Sequence, residues 1–386
     1  MAALAALAPV ELGATSVGDA ALRAVAFADL PGWEADDHAA ALATFRTSCV
    51  AILDGAPSLR PAGATGDALL AACRAGIEAG PAEARAFFEA WFVPHRVIPP
   101  SGAGFMTGYY EPVLEGALVP SAEFSVPLRA RPDALVSILE HERLPGIPDH
   151  LRAALDLGGA AYAPVPTRAA IEEGALDGAA EPIVWLREPG EAFIVHVQGS
   201  ARIRLPDGRL LRVGYAGRNG HPYVSIGRLL VERGAIAREE MSLERLLAWL
   251  AQNRDAARAL MRENPSYIFF RTIPEDDPAL GPIGGAGVPL APERSIAVDR
   301  ALWRYGLPFH LAGRVPGVDG GLRPLARLMI AQDTGSAIVG PARIDYFVGT
   351  GPEAGTRAGL MRHAVDVTVL LPRPTPIAAS EPGRAP

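Results

Sequence analysis

The sequence predicts a mainly β protein with flanking helices, large enough for two domains, and three observations carry that reading. A chain of 386 residues, 49% of them hydrophobic, can bury two cores of ordinary size. Its 41 Gly and 36 Pro are spread along the whole length rather than gathered in one tract, as expected where many turns join short strands. From Tyr267 to Leu371 short apolar runs alternate with turn residues, the pattern of a compact β-barrel region.

In chain order, residues 1–95 read as mostly helical. The clearest helix opens at Gly80-Pro81-Ala82-Glu83, with Pro81 at a first helical position and Glu83 near the positive end of the dipole. It runs through Trp91 until Pro94 stops it. Cys49 and Cys73 both fall in Ala/Leu-rich helical text, which suits two buried free thiols or one disulfide of an oxidising compartment. After Ser101 the text changes, and Gly104 to Pro112 is aromatic and punctuated by glycine, as for a strand passing a cleft. Further on, Ile183–Trp185 and Ala192–Val197 read as short strands. Asp207-Gly208 separates Ala201–Leu205 from Leu210–Tyr215 and predicts a hairpin, because this dipeptide accepts positive φ. Two helices follow: Ile226–Arg233, ended by Gly234, and Leu243–Glu263, opened by Ser242 and closed by Asn264-Pro265. Strands are expected at Tyr267–Arg271, Ser295–Val298, Leu325–Ala331, Arg343–Val348 and Asp366–Leu371, ahead of a disordered Pro/Ala-rich tail from Pro372 to Pro386.

All 36 basic residues are arginine. A chain without lysine forms no lysine Schiff base and has no Walker A phosphate loop. The net charge of -7 argues against a nucleic-acid partner. Met1 to Pro9 is a short Ala/Leu run and the first Arg is Arg23, so no secretory leader is read, and no apolar stretch reaches membrane-spanning length. The 8 His include no pair at helical zinc spacing, and His141-Glu142 lacks a second His; no metal is expected. There is no Gly-x-Ser-x-Gly elbow, and Gly199-Ser200 has no matching His signature.

The remaining chemistry lies in three carboxylates, Asp299, Asp333 and Asp345, each following or interrupting apolar strand text. Asp is depleted in strands and costly to bury unpaired, so three such placements close together need a reason. Strand capping or pairing with arginine would supply one, and for Asp299, flanked by Arg294 and Arg300, that is as good as a functional role. Asp345 differs. Set between Ile344 and Tyr346-Phe347, it is expected to be desolvated, with a raised pKa that lets it donate a proton near neutrality. Glycines from Gly335 to Gly359 around these residues suggest a cleft wall.

Several blocks resemble the membrane-bound lytic transglycosylase A family. They are Thr107-Gly108-Tyr109-Tyr110-Glu111-Pro112, Val197-Gln198-Gly199-Ser200, Tyr215 to His221, Ser225-Ile226-Gly227, Asn264 to Phe270, Asp333 to Ile338, the Asp345 segment and Gly349 to Gly355 with Ala358-Gly359. They run in family order from residue 104 to 371; a departure is His363-Ala364-Val365-Asp366 where the family has a His-x-Gly-Arg turn. The resemblance implies a double-psi β-barrel catalytic domain, residues 1–112 with 274–386, and an inserted smaller β domain, residues 113–273, with a groove between them. It implies Asp345 as catalytic acid and base, Asp333 and Asp299 in support, and Thr107, Gly108, Tyr109, Tyr110, Gln198, Ser200 and Gly335 against the substrate. It further implies exo-type cleavage of peptidoglycan glycan strands to 1,6-anhydromuropeptides, no cofactor, a monomer working among cell-wall enzyme complexes, and a periplasmic or outer-membrane-associated location.

Two other readings compete. Asp333-Thr334-Gly335 matches the signature of aspartic proteases, but no second copy occurs and a homodimer would be needed to supply the paired carboxylates. A wall-binding module without catalysis would keep the groove and have no need of Asp345.

Overall fold

The computed structural model describes residues 13–139, 142–274, 280–317 and 319–374. The Met1–Pro9 run, His141 and the tail from residue 375 onward lie outside the described residues. Six strands close into a barrel in the order Arg362–Pro372, Pro308–Pro316, Leu322–Asp333, Ser295–Ala297, Arg343–Thr350 and Gly104–Glu111, the last pairing back onto the first. Two of these pairings are parallel, Ser295–Ala297 with Leu322–Asp333 and Arg343–Thr350 with Gly104–Glu111. This is the double-psi architecture that the resemblance implies. Closure pairs every strand, leaving no free barrel edge.

Alternation decides which side chains fill the barrel. Met106, Tyr110, Ile344, Tyr346 and Val348 join Ile296, Leu328 and Val367 in its core. Residues between them, Thr107, Tyr109, Asp345 and Phe347, therefore point to the outer face. Three further strands, Ser16–Val17, Ala20–Ala24 and Phe92–Ile98, extend the sheet beside Arg362–Pro372, so the first 95 residues are less helical than expected. Pro94 does not stop a helix. The chain is already extended at Phe92, and Pro94 lies within a strand opposite Leu370. Pro372, assigned to the tail, is the last residue of the closing strand, opposite Phe92.

The intervening residues form a second sheet in the order Ile268–Ile273, Leu210–Arg218, Ser200–Arg204, Val113–Ala117, Pro182–Leu186 and Val126–Arg129. A bridge between Ala130 and Phe270 draws its edges together. The expected hairpin is present, with Gly208 at φ 85°. Ala192–Val197 is not a strand but part of the helix Pro189–Gln198, which has Pro at its start and Gly199 in the left-handed region at its end. Its β-branched, apolar text arises from burial on both sides: Ala192 and Val195 pack on the sheet, Phe193 and Ile194 on the neighbouring helices. The single helix expected over Leu243–Glu263 is two, Leu243–Gln252 and Arg254–Arg262, broken at Asn253. The strand Pro308–Pro316 was not anticipated.

Glu111 ends a barrel strand where the chain crosses to the second sheet. It is fully buried, 3.0 Å from Arg202 Nε and 2.9 Å from Arg212 Nε, and Thr350 Oγ1 donates to it at 2.9 Å.

Cys49 and Cys73 form a disulfide between the helices His38–Leu53 and Asp67–Glu78, deciding between the two states open in the sequence. The crosslink spans 24 residues in sequence. Loop-closure entropy for that span gives about 3 kcal/mol of stabilisation. Reduction is expected to lower the urea midpoint of the native chain and to leave a Cys49→Ala/Cys73→Ala variant unmoved. An unchanged midpoint in the native chain would contradict it.

Candidate active site

A cleft of about 240 Å³ opens between the barrel and the second sheet. Its barrel wall carries Tyr109, Asp345 and the loop Asp333 to Ile338; its opposite wall carries Gln198, Gly199, Ser200 and Tyr215. Leu59 and Arg60, from the loop between the two disulfide-linked helices, reach it as well.

Strand register explains how two carboxylates come together. Ala297 pairs with Asp333 on one side and Asp345 on the other, and Asp345 pairs onward with Thr107. At about 4.8 Å per strand spacing, Asp333 and Asp345 stand roughly 10 Å apart at Cα. The residue between them, Ala297, is small and buried among Tyr109, Leu290, Ile338 and Phe347.

Asp345 Oδ1 accepts a hydrogen bond from Thr107 Oγ1 at 2.5 Å, and Arg343 Nη2 donates to the same Thr107 oxygen at 2.8 Å. Arginine can only donate, so the single hydroxyl proton of Thr107 must go to Asp345. This commits Oδ1 as an acceptor and leaves Oδ2 to carry a proton. Burial raises the Asp345 pKa from 3.8 to about 6, helped by the nearby Asp333 charge and opposed by Thr107 and Arg343. The raised value matches expectation, but of the three sequence neighbours only Phe347 shares the face of Asp345. Ile344 and Tyr346 face the barrel interior. The apolar side chains on the cleft side are Tyr109, Phe347, Ile338 and Leu290.

Asp333 is also pushed above the usual carboxylate range by burial, although its Oδ1 accepts from the backbone N–H groups of Gly285 at 2.7 Å and Thr334 at 2.8 Å. Gly285 is required there: a Cβ would lie 2.7 Å from Tyr305 Oη and 3.3 Å from Asp333 Oδ1. The Tyr109 hydroxyl is buried within reach of Asp333, yet not aligned for a full hydrogen bond. Burial and the charges of Asp333 and Asp345 hold its pKa well above 10.

The other expected site residues divide. Tyr109, Gln198, Ser200 and Gly335 line the cleft. Thr107 touches Asp345. Asp299 does not line the cleft: its Oδ1 accepts from Ala301 N at 3.0 Å and its Oδ2 from Gly340 N at 2.8 Å, clamping the loop that leads to Asp345. Gly108 and Tyr110 face the other way, against the helix Pro352–Leu360 and Met361. The Tyr110 ring lies 2.8 Å from where a Cβ on Gly355 would be, and a Cβ on Gly108 would lie 2.6 Å from Met361 Sδ. Only the backbone N–H of Tyr110 turns toward the cleft wall, donating to Gln198 Oε1 at 3.0 Å. Sequence reasoning missed Arg60, Arg343 and Gly285; the Gly284-Gly285 doublet was the one local signal available.

Among the described residues, no group of three or more His, Cys, Asp or Glu could hold a metal ion. No helix among them is long and apolar enough to cross a membrane.

Family comparisons agree with this layout. A model of the MltA specific insert domain matches residues 105–271, and a model of the 3D domain matches residues 294–371. A membrane-bound lytic murein transglycosylase A of Vibrio cholerae is 35% identical over 268 residues, 68% of this chain and 64% of its own length, so the match spans just under two thirds of that relative. The crystal structure of a membrane-bound lytic murein transglycosylase from Agrobacterium tumefaciens superposes with a TM-score of 0.81 at 39% identity, covering 91% of this chain and 98% of that one. A structure of Escherichia coli MltA with bound chitohexaose gives a TM-score of 0.63 at 27% identity, covering 93% of each chain.

Proposed function

Because the chain belongs to the membrane-bound lytic murein transglycosylase A family, we propose that it cleaves the β-1,4 bond between N-acetylmuramic acid and N-acetylglucosamine in peptidoglycan, leaving 1,6-anhydromuramoyl ends. The observation that carries this reading is Asp345, a cleft carboxyl with a pKa near 6 and one oxygen already committed to Thr107. Protonated on Oδ2, Asp345 gives its proton to the glycosidic oxygen as the bond breaks. The resulting carboxylate takes the proton of the C6 hydroxyl as that oxygen closes on C1. The nucleophile belongs to the same sugar, so its high effective molarity replaces a second carboxylate or a bound water.

Other residues act around that step. Arg343 and Thr107 orient Asp345. Asp333 raises its pKa, and Asp299 holds the loop before it. Tyr109, Gln198, Ser200 and Gly335 contact the sugars, while Gly108 and Tyr110 shape the strand from behind. The oligosaccharide held by the Escherichia coli relative supports a glycan in this cleft. We assign the catalytic barrel to residues 1–112 with 274–386 and the substrate-groove domain to 113–273. Exo-type action on strands in the periplasm, at the outer membrane, completes the reading.

The test is product analysis. Purified peptidoglycan incubated with the protein should release anhydro-ended muropeptides by mass spectrometry, and Asp345→Asn should release none above background. Reducing ends, peptide cleavage or an unaffected variant would each reject it.

A further inference from the structure

Four arginines lie at or just outside one rim of the cleft, with Arg60 in its lining, and none of them has an ion pair among the described residues. Arg60 Nη1 donates to Thr334 O at 2.9 Å and its guanidinium lies over the Tyr215 ring, 5.6 Å from the centroid. Arg218 Nη1, from the opposite wall, donates to Ser336 Oγ at 2.8 Å. Arg300 Nη1 donates to the Pro61 carbonyl, beside Arg60; the backbone N–H of Arg152 donates to Gly220 O at 3.0 Å, two residues beyond Arg218, while its Nη1 rests on the Asp149 and Leu151 carbonyls of its own turn. Arg60 and Arg218 thus meet at the loop Thr334 to Ser336, beside Asp333, with Arg300 next to the first and Arg152 next to the strand end that carries the second. Elsewhere in this protein arginines are routinely paired: Arg129, Arg187, Arg233, Arg262, Arg294 and Arg327 each contact a carboxylate.

Their proximity has an electrostatic cost. Burial, and then the charges of Arg60, Arg300 and Arg152, pull the Arg218 pKa down to about 10. The acidic group facing the cluster is Asp333, whose charge Arg60 offsets. Like charges held together in a chain of net charge -7 are balanced best by an anion from outside.

We infer that Arg60, Arg152, Arg218 and Arg300 form a subsite for the free carboxylates of the peptide stem carried on the lactyl group of N-acetylmuramic acid. The inference rests on the peptidoglycan reading of the same cleft and adds what the enzyme recognises beyond the sugars. Arginine suits the task, because its fork matches a carboxylate and its charge persists at neutral pH. The rim position lets the sugar chain lie along Asp345 while the stem leaves the cleft past the arginines. An enzyme built this way prefers strands bearing stems over bare glycan.

Binding tests this without needing turnover. The full chain carrying Asp345→Asn is titrated with soluble glycan strands bearing stems, and with the same strands stripped of stems by an amidase, at low and high salt. Stem-bearing strands should bind roughly tenfold more tightly at low salt, and high salt should erode that advantage. Adding Arg152→Gln and Arg300→Gln should bring the ratio of the two affinities close to one. The ratio is the readout, so a general loss of affinity in the variants does not imitate the result. Equal or undetectable binding of both strands, or a preference that survives the arginine substitutions, overturns the inference. Stem preference without anhydro products from the unsubstituted enzyme would sink the lytic reading and leave this subsite standing.

Discussion

Asp345→Asn is expected to reduce strand cleavage by roughly 10³-fold or more, the upper part of the range for losing a positioned general acid that must also serve as base. Asn keeps an acceptor for Thr107 Oγ1, so the site's geometry survives while its proton does not. The pH dependence has a definite sign. Cleavage begins with protonated Asp345, whose pKa is about 6. kcat/KM should therefore hold level below that value and fall about tenfold per unit above it. Stability moves oppositely in the variant. A carboxyl raised from 3.8 to about 6 holds its proton more strongly in the folded state, so ionising it costs stability progressively across that window. Complete ionisation costs about 3 kcal/mol. The Asn variant should thus unfold at higher urea than the native chain above about pH 7 and at the same urea at about pH 3, below the unfolded-state value. A variant equally stable at both pH values, or a flat activity profile through pH 6, would remove Asp345 from the role of proton donor.

The same residue shows what a sequence can and cannot reveal. Asp is rare inside strands, so Asp345 and Asp333 stood out locally, and strand text marked most barrel strands. The Asp207-Gly208 hairpin was equally readable, because its turn depends on two residues' backbone preferences. The environment of Asp345 was not readable. Its flanking Ile344 and Tyr346 turn into the barrel, and apart from Phe347 on its own strand the apolar groups around it, Tyr109, Leu290 and Ile338, come from other parts of the chain. Arg60 reaches Thr334 across 274 positions of sequence, and no local pattern encodes that approach. The helix Pro189–Gln198 failed for a related reason: burial on two faces erases the one-sided periodicity from which a helix is recognised. Tyr109 and Tyr110 were indistinguishable as text, and alternation alone sends one to the cleft and the other into packing.

The largest stability effect is expected at Asp36, which docks the N-terminal segment onto the barrel. Asp36 Oδ1 accepts from Arg294 Nη2 at 2.9 Å and Oδ2 from Arg294 Nη1 at 3.1 Å, with Leu328 N donating to Oδ2 at 2.6 Å. Only 4% of the Asp36 side chain and 10% of the Arg294 side chain are exposed. Burial by itself would raise the Asp36 pKa, but the Arg294 hydrogen bonds, the Leu328 N–H and the Arg294 charge outweigh it and hold the group below 3.8. Asp36→Ala leaves the Arg294 charge buried and unmatched, and breaking a buried pair from one side costs about 3–5 kcal/mol. The contrast is Glu115→Ala: its pair with Arg204 spans 3.3 Å with 41% and 56% of the two side chains exposed. Exposed pairs of this kind contribute about 0–1 kcal/mol. Urea unfolding of both variants tests the difference, and equal losses would refute it. A lowered folded-state pKa also fixes the pH direction. The Asp36 contribution is complete above its unfolded value and is lost as pH falls through the folded one, so the gap between native chain and Asp36→Ala should narrow in acid. A gap that widened on acidification would mean that Arg294 draws its stabilisation from something other than this carboxylate.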